Sequence, residues 1–188
     1  MTEQVDLEKD ADVLAFLSGE LLVYPTEAVM GIGCDPDNEE AVMRLLQLKK
    51  RDISKGVILI AANYSQLLPY VNDKAIGQDR RTEIFSSWPG PVTWLLPKSA
   101  ATPTWLCGEH DTIAVRVTNH PVVVALCKKL GKPLVSTSAN LSGQPPARDQ
   151  QQAREYFSDN VHYIDGVVGR QAQPSTIKHG ETGQIIRA

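Results

Sequence analysis

Short apolar segments alternate along this chain with segments whose apolar residues recur at helical spacing. The apolar run over residues 57–62 has six residues, which suits a buried strand and is far too short to cross a bilayer. Alternating helix and strand signals favour an α/β layer protein built on a twisted sheet. The chain has 188 residues, 42% of them hydrophobic and 22% charged, and this length and composition predict a single domain over residues 1–188.

The most strongly marked helix is predicted to begin after a cap at Asn119 and to run through Leu130. Pro121 suits its first turn, and Gly131 suits the position after its end. A second helix is predicted over residues 39–50, with acids in its first turn and bases in its last, as the helix dipole prefers. The other predicted helices cover residues 7–17, 67–71, 79–88 and 149–157.

The predicted strands are short apolar or alternating runs bounded by turn residues. Pro25 is expected to end the first of them, because proline donates no hydrogen bond to a ladder. The predicted strands cover residues 21–24, 57–61, 92–96, 112–117, 134–136, 161–164, 175–178 and 184–186.

Charge and cysteine content exclude several classes of protein. A net charge of −3 argues against a protein that coats nucleic acid with its whole surface. Cys34, Cys107 and Cys127 form no close pair and are predicted to be small buried residues, while the four histidines have no ligand-like spacing and are expected mostly in loops or at the surface. No protein metal site is predicted. The first ten residues are acidic and lack a basic signal region, so a cytoplasmic protein is expected.

Three short polar signatures stand at the ends of predicted elements. They occupy residues 25–28 (Pro-Thr-Glu-Ala), residues 49–51 (Lys-Lys-Arg) and residues 136–140 (Ser-Thr-Ser-Ala-Asn). In α/β proteins, ligand-binding groups lie beside the carboxyl ends of strands. Hydroxyls, amides and cations at such positions suit phosphate, so the three signatures together predict one anion-binding active site.

Each signature also has an ordinary structural explanation when it is taken alone. A serine-rich turn can bond its own backbone, and the proline at the first signature can simply stop an edge strand. Lys49 and Arg51 can be a solvated helix end, and Arg116 in its apolar strand can be a snorkelling residue at the rim of the sheet.

In their order and spacing, these features resemble the YrdC family of threonylcarbamoyl-adenylate synthases, and most closely its short, single-domain bacterial members. The resemblance implies a twisted, mixed parallel and antiparallel sheet with flanking helices and a concave basic cavity. Besides the three signatures, it is carried by Trp88-Pro89-Gly90-Pro91-Val92-Thr93, Ala114-Val115-Arg116-Val117, His120-Pro121 and Pro174-Ser175-Thr176.

The reaction implied by the resemblance joins L-threonine and bicarbonate to a carbamate, whose oxygen attacks the α-phosphate of ATP. Threonylcarbamoyl-adenylate and pyrophosphate result, and partner proteins then pass the activated group to tRNA. Magnesium is expected as a companion of ATP, bound through the phosphates. The chemistry needs positioning and charge neutralisation more than covalent help, so the lack of a nucleophile and base pair is no objection.

Site residues carried over by the resemblance fall into two groups. Lys49 and Arg51 are expected on the ATP phosphates as the catalytic pair. The ATP-binding residues are then Lys49, Arg51, Ser136, Ser138, Asn140, Arg148 and Ser175. Threonine is expected to contact Thr26, Arg116 and Ser138, with the arginine on its carboxylate.

Two other functions remain open from the sequence. The first is a double-stranded RNA-binding or ribosome-maturation module that uses the same basic cavity, supported by the basic cluster Arg44, Lys49, Lys50, Arg51 and Lys55. The second is a regulatory domain that binds a nucleotide without chemistry. Pyrophosphate release that depends on threonine would separate the enzyme from both.

Overall fold

A twisted, mixed sheet of nine strands forms the centre of the molecule, in the order β7-β1-β2-β6-β3-β5-β4-β8-β9. The computed structural model describes residues 10–187. The strands are β1 (Leu22–Pro25), β2 (Met30–Gly33), β3 (Ile58–Ala61), β4 (Val92–Pro97), β5 (Thr112–Val117), β6 (Leu134–Ser138), β7 (His162–Tyr163), β8 (Thr176–His179) and β9 (Ile185–Arg187).

Six α-helices flank the sheet within residues 10–187, together with three short 3₁₀ helices. The α-helices are α1 (Ala11–Leu17), α2 (Glu39–Lys49), α3 (Gln78–Ser86), α4 (Thr104–Cys107), α5 (Pro121–Leu130) and α6 (Gln150–Phe157). The 3₁₀ helices are Ile53–Lys55, Tyr64–Leu67 and Asp73–Ala75. None of the helices in this part of the chain is long and apolar enough to cross a membrane.

Parallel and antiparallel pairs both occur, as predicted. Strand β3 is parallel to β5 and β4 is parallel to β8, whereas β1 and β2 form an antiparallel pair. Most side chains of the central strands are buried on both faces of the sheet, which is why these strands are apolar throughout rather than alternating. One core lies between the sheet and helices α1 and α5, and a larger core includes residues of α2.

The connection from β7 to β8 crosses most of the sheet. Six strands lie between β7 and β8 in the strand order. Residues 164–175, called here the crossing segment, span that distance. The segment is bonded to the structure beneath it: Gly169 N donates to Thr26 O (2.8 Å), and Gln171 N donates to Glu27 O (3.0 Å). His120 Nε2 also lies 2.8 Å from Val167 O.

Helix α2 ends in a way that sets the geometry of the candidate site. Asn38 Oδ1 accepts from Ala41 N (3.1 Å) at its start. At its end Lys50 adopts the left-handed conformation, with φ of 54°. This sharp stop leaves Lys49 buried and turns the chain toward Arg51, so both cations face inward near the sheet.

Some sequence predictions of individual elements are corrected by the structure. The cap of α5 is His120, whose Nδ1 accepts from Val122 N (3.2 Å), and not Asn119. Residues 67–71 are not a helix, because Pro69 follows the 3₁₀ helix Tyr64–Leu67 and Val71 forms a bridge with Lys98.

Strand β2 was not predicted, since two of its four residues are glycines, which are depleted in strands. A Cβ on Gly33 would lie 1.5 Å from Val135 O, so this close approach of two backbones requires glycine. Pro25 ends the first strand as expected, although it belongs to β1 as its last residue and pairs with Met30. Helix α4 was also missed, being a single turn.

The remaining elements agree with the sequence to within a few residues. Residues 7–9 of the predicted first helix lie outside the described part of the chain, and Asp10 caps that helix by accepting from Asp12 N (3.0 Å). The three cysteines are free and buried, as predicted. Among the histidines, His120 lies in the loop before α5, as expected, but it is buried there, with 6% of it exposed.

Candidate active site

A cavity of about 380 Å³ opens beside the ends of β1, β2 and β6, with the crossing segment along one side. All three polar signatures contribute to its wall. The lining residues are Thr26, Glu27, Ala28, Val29, Met30, Gly31, Arg51, Ile58, Pro91, Arg116, Ser136, Thr137, Ser138, Pro146, Gln171, Gln173, Pro174, Ser175 and Arg187.

Lys49 lies directly behind this wall. Its Nζ donates to the carbonyl oxygen of Ser138, and Asn140 Oδ1 is 3.4 Å away. Burial lowers the pKa of Lys49 to about 8, and the nearby charge of Arg51 lowers that pKa further in the same direction. A nearby anion therefore stabilises the charged form of this buried ammonium.

Arg51 reaches the cavity itself. Its Nη2 donates to Gly56 O (3.1 Å), while its Nε is buried and has no hydrogen-bond partner within residues 10–187. Burial, and after it the charge of Arg187, lowers the pKa of Arg51. A buried donor without a partner costs free energy, and a phosphate oxygen would satisfy it.

Arg187 is a site residue that sequence reasoning missed. It lies at the end of β9 and donates from Nη2 to Ser175 O (2.9 Å). Arg187 is exposed overall, but partial burial of its guanidinium lowers its pKa, and it adds a third cation to Lys49 and Arg51. No local pattern marks it, because it reaches the cavity only through the pairing of β9 with β8.

Residues of the serine-rich signature have two different positions: the serines line the cavity, and Asn140 lies behind them. Ser136 and Ser138 line the cavity at the end of β6, and Ser175 lies opposite on the crossing segment. Asn140 does not line the cavity: its Oδ1 accepts from Ser138 Oγ (2.6 Å), and its Nδ2 donates to Leu141 O (2.9 Å). Asn140 therefore fixes the turn and orients Ser138 and Lys49.

Arg116 also lines the cavity, where it is paired with an acid. Its side chain is 8% exposed, and its Nη1 donates to the carboxylate of Glu27, which is 15% exposed. The Thr118 hydroxyl donates to the other oxygen of Glu27. Thr26 lines the cavity next to this pair, with its hydroxyl donating to Val29 O (2.7 Å). Glu27 stands inside the first signature, and the sequence reasoning gave it no role.

Arg148 is a predicted ATP-binding residue that does not line the cavity. It is exposed, and its Nη1 lies 3.4 Å from Ala28 O, at the outer side of the first signature. The basic cluster over residues 44–55 does not form one surface patch either. Lys49 is 3% exposed, and Arg44 is turned away to the carbonyl of Gly19.

The mixed sheet and the cavity with converging cations define an anion-binding α/β protein. A family model described as telomere recombination, Sua5/YciO/YrdC, matches residues 15–188. The chain belongs to the Sua5/YciO/YrdC family. The resemblance recognised from the sequence signatures is thereby confirmed.

Relatives match over nearly their whole length. The chain is 58% identical over 178 residues to a threonylcarbamoyl-AMP synthase of Pseudoalteromonas atlantica, with 95% of both chains covered. It is 50% identical over 188 residues to a protein of that name from Klebsiella pneumoniae, with 100% of this chain and 99% of the relative covered.

A solved structure of P. abyssi Sua5 complexed with L-threonine superimposes with a TM-score of 0.82 at 31% identity, covering 89% of this chain. The chain spans about half the length of that Sua5 protein, since 50% of it is covered.

Proposed function

We infer that this chain is a threonylcarbamoyl-AMP synthase, which forms threonylcarbamoyl-adenylate and pyrophosphate from L-threonine, bicarbonate and ATP. One observation supports this function best: a single cavity has, in or just behind its wall, three cations that form no ion pair within residues 10–187, Lys49, Arg51 and Arg187, and a separate arginine and acid pair, Arg116 and Glu27. The first group suits a polyphosphate, and the second suits a small amino acid. The relatives at 58% and 50% identity carry this name.

ATP is proposed to bind with its phosphates toward the three cations. When the carbamate oxygen attacks the α-phosphorus, the bond to the pyrophosphate oxygen breaks and negative charge builds on the leaving group. Lys49 and Arg51 neutralise that charge, and the hydroxyls of Ser136 and Ser138 can donate to phosphate oxygens. Ser175 lies on the far side of the cavity, where it can position the nucleotide. Asn140 acts on ATP indirectly, by orienting Lys49 and Ser138.

Arg148 was expected to bind ATP, and it remains the outermost of the proposed ligands. To reach a bound nucleotide, its side chain would have to turn from Ala28 O toward the cavity mouth. Comparing the ATP affinity of Arg148→Ala with that of the wild type tests whether this turn occurs.

Threonine is proposed to bind at the opposite end, beside Thr26 and Arg116. Arg116 carries the fork geometry that recognises a carboxylate. Ser138 lines the same cavity and is proposed to contact both threonine and ATP. The solved Sua5 complex contains L-threonine, which supports an amino-acid site in this fold.

Magnesium is proposed to arrive with ATP. The residues described by the structure contain no group of three or more His, Cys, Asp or Glu side chains that could hold a metal ion. Mg²⁺ commonly binds through substrate phosphates and water, so the protein needs no cage of its own. The ion would add charge neutralisation at the phosphates to that supplied by the cations.

The product is proposed to pass to partner proteins that transfer the threonylcarbamoyl group to tRNA. A mixed anhydride of carbamate and phosphate is reactive toward water, so fast transfer has an advantage. Since the substrates are ATP, L-threonine and bicarbonate and the final acceptor is tRNA, the proposed place of action is the cytoplasm.

The test is a synthesis assay with ATP, magnesium, bicarbonate and labelled threonine. We expect threonine-dependent pyrophosphate and a threonylcarbamoyl-adenylate product, both lost in Lys49→Ala and both retained in Lys50→Ala, whose side chain is exposed. ATP binding without threonine-dependent turnover in the wild type would instead leave a nucleotide- or RNA-binding module as the better account.

A further inference from the structure

The two ends of the cavity differ in their balance of charge. At the phosphate end, Lys49, Arg51 and Arg187 carry lowered pKa values, and no acidic residue lines that part of the described wall. At the other end, Arg116 faces Glu27, the one acid among the lining residues. A ligand group that was only an anion would be repelled by Glu27. A group that carries both charges would not.

Both members of the pair have capacity left for a ligand. A carboxylate accepts about four hydrogen bonds, and Glu27 receives one from Arg116 and one from Thr118. Within residues 10–187, the hydrogen bonds of the Arg116 guanidinium leave from Nη1, toward Glu27 and toward Gly90 O (3.4 Å). Nη2 and Nε therefore keep donors for a second carboxylate. The ion pair can take a ligand without breaking.

The position of Glu27 is fixed by its surroundings. Its carbonyl oxygen accepts from Gln171 N (3.0 Å), and a Cβ on Gly169 would lie 2.6 Å from that same oxygen. The hydroxyl of Thr118, which orients the carboxylate, also accepts from His120 N (3.0 Å). The backbone of Glu27 is thus fixed by the crossing segment, and its carboxylate is held by Arg116 and Thr118.

We propose that Glu27 binds the α-ammonium group of the amino-acid substrate while Arg116 binds its carboxylate. The substrate zwitterion then lies antiparallel to the protein ion pair, so that each charge meets its opposite. This inference rests on the proposed function, because it specifies how the amino-acid end of the same cavity reads its ligand. In this arrangement, Glu27 selects ligands that carry a free α-ammonium group, while its partner Arg116 selects those that carry a carboxylate.

The experiment measures binding, by calorimetry, of three ligands that differ by one charged group. They are L-threonine, (R)-3-hydroxybutyrate, which lacks the ammonium group, and (R)-1-amino-2-propanol, which lacks the carboxylate. The wild type is compared with Glu27→Gln, which keeps the shape and removes the charge, and with Glu27→Asp, which keeps the charge on a shorter side chain. Glu155→Gln, at an exposed acid of α6, is the matched control. An unchanged affinity for ATP shows that the phosphate-binding part of the cavity is intact in each variant.

In the wild type, we expect threonine to bind roughly 10- to 100-fold tighter than 3-hydroxybutyrate, as a charge-assisted hydrogen bond implies. Glu27→Gln should bring that ratio close to one, with the ratio of threonine to 1-amino-2-propanol largely kept. Glu27→Asp should retain part of the preference for the ammonium group, and Glu155→Gln all of it.

If Glu27 only holds Arg116 in place, Glu27→Gln will weaken threonine and 3-hydroxybutyrate by the same factor, and the proposal is overturned. Failure of the proposed function looks different. In that case the wild type itself makes no threonylcarbamoyl-adenylate. A wild type that makes the product, with an unchanged ligand ratio in Glu27→Gln, refutes only the role given to this acid.

Discussion

The Nζ atom of Lys49 donates to the carbonyl oxygen of Ser138, across 89 positions of the chain. The contact joins the last residue of α2 to the last residue of β6, so two of the polar signatures form one structure. It also holds the lysine where burial lowers its pKa to about 8. Several measurable consequences follow from this and from the other cations.

ATP binding should take up protons near pH 8. In the free protein the pKa of Lys49 is lowered to about 8, because burial disfavours its charged form. Phosphates favour the charged form and raise that pKa, so ATP affinity should fall as pH rises above about 8. Calorimetry in buffers of different ionisation enthalpy measures the uptake. It should vanish in Lys49→Met and persist in Lys50→Met; equal uptake in both variants would assign it to another group.

The same lowered pKa gives a stability prediction for the ligand-free protein. Between pH about 8 and 10.5 the unfolded chain holds the Lys49 proton and the folded chain does not. The unfolded state then binds more protons, so this lysine makes stability rise with pH across that range. Denaturant unfolding of the wild type and of Lys49→Met over this range should give a difference that shrinks as pH rises. A constant difference would contradict the buried, desolvated lysine.

Loss of Arg187 should weaken ATP and spare threonine. The guanidinium lies with the cations of the phosphate end, and one charge-assisted contact amounts to about 1.5–3 kcal/mol, or roughly 10- to 100-fold in affinity. Arg187→Ala should therefore raise the KM for ATP by that factor while the KM for threonine changes little. Arg154→Ala removes an arginine from α6, away from the cavity, and is the control. A rise in the KM for threonine alone would instead assign Arg187 to the threonine site.

Serine should serve as a poor second substrate. Serine differs from threonine by one methyl group, and a pocket that fits one such group discriminates by about 1–3 kcal/mol, or roughly 10–200-fold. The synthesis assay with each amino acid in turn measures the ratio of kcat/KM. Equal values would remove the idea of a methyl-fitting pocket beside Thr26.

Gly33→Ala should destabilise the fold far more than Gly131→Ala. A Cβ at position 33 would lie 1.5 Å from Val135 O, so β2 and β6 would have to separate. Gly131 has φ of +68° but open space around it, so alanine there costs about 1–2 kcal/mol of backbone strain. Thermal unfolding of both variants checks this. Similar melting temperatures would mean that β2 and β6 can move apart at little cost in free energy.

Turnover should depend on a divalent cation that the protein does not bind alone. Because the described residues hold no cluster of metal ligands, calorimetric titration of Mg²⁺ into the ligand-free protein should show no heat of binding. A chelator should abolish product formation, and excess Mg²⁺ should restore it. Tight binding of Mg²⁺ without nucleotide would point to ligands on the protein.

The sequence predicts best where local chemistry decides the structure. Strand β5 was predicted with its observed bounds, Thr112–Val117, because a run of alternating and apolar residues between turns leaves few alternatives. Strand β2 was missed because its glycines serve a long-range need, the close approach of Gly33 to Val135. Local propensity carries no record of such a contact.

Residues of the candidate site show the same difference between local and long-range features. Lys49, Arg51 and Ser138 were predicted, since they lie in compact signatures. The pairing of Arg116 with Glu27 joins residues 89 positions apart, and Arg187 reaches Ser175 only through a strand pair. Composition and spacing cannot show which charges will meet. The position of Arg148 outside the cavity depends likewise on how its loop is folded.

The crossing segment has a consequence for synthesis of the protein. Residues 171, 173, 174 and 175 form one side of the cavity, and they follow every other lining residue in the chain except Arg187. A ribosome therefore completes the signatures and most of the sheet before it makes this wall. A nascent chain that stops before Gly169 has Lys49, Arg51 and Arg116 but lacks this side of the cavity. The cavity therefore gains its last side only near the end of translation.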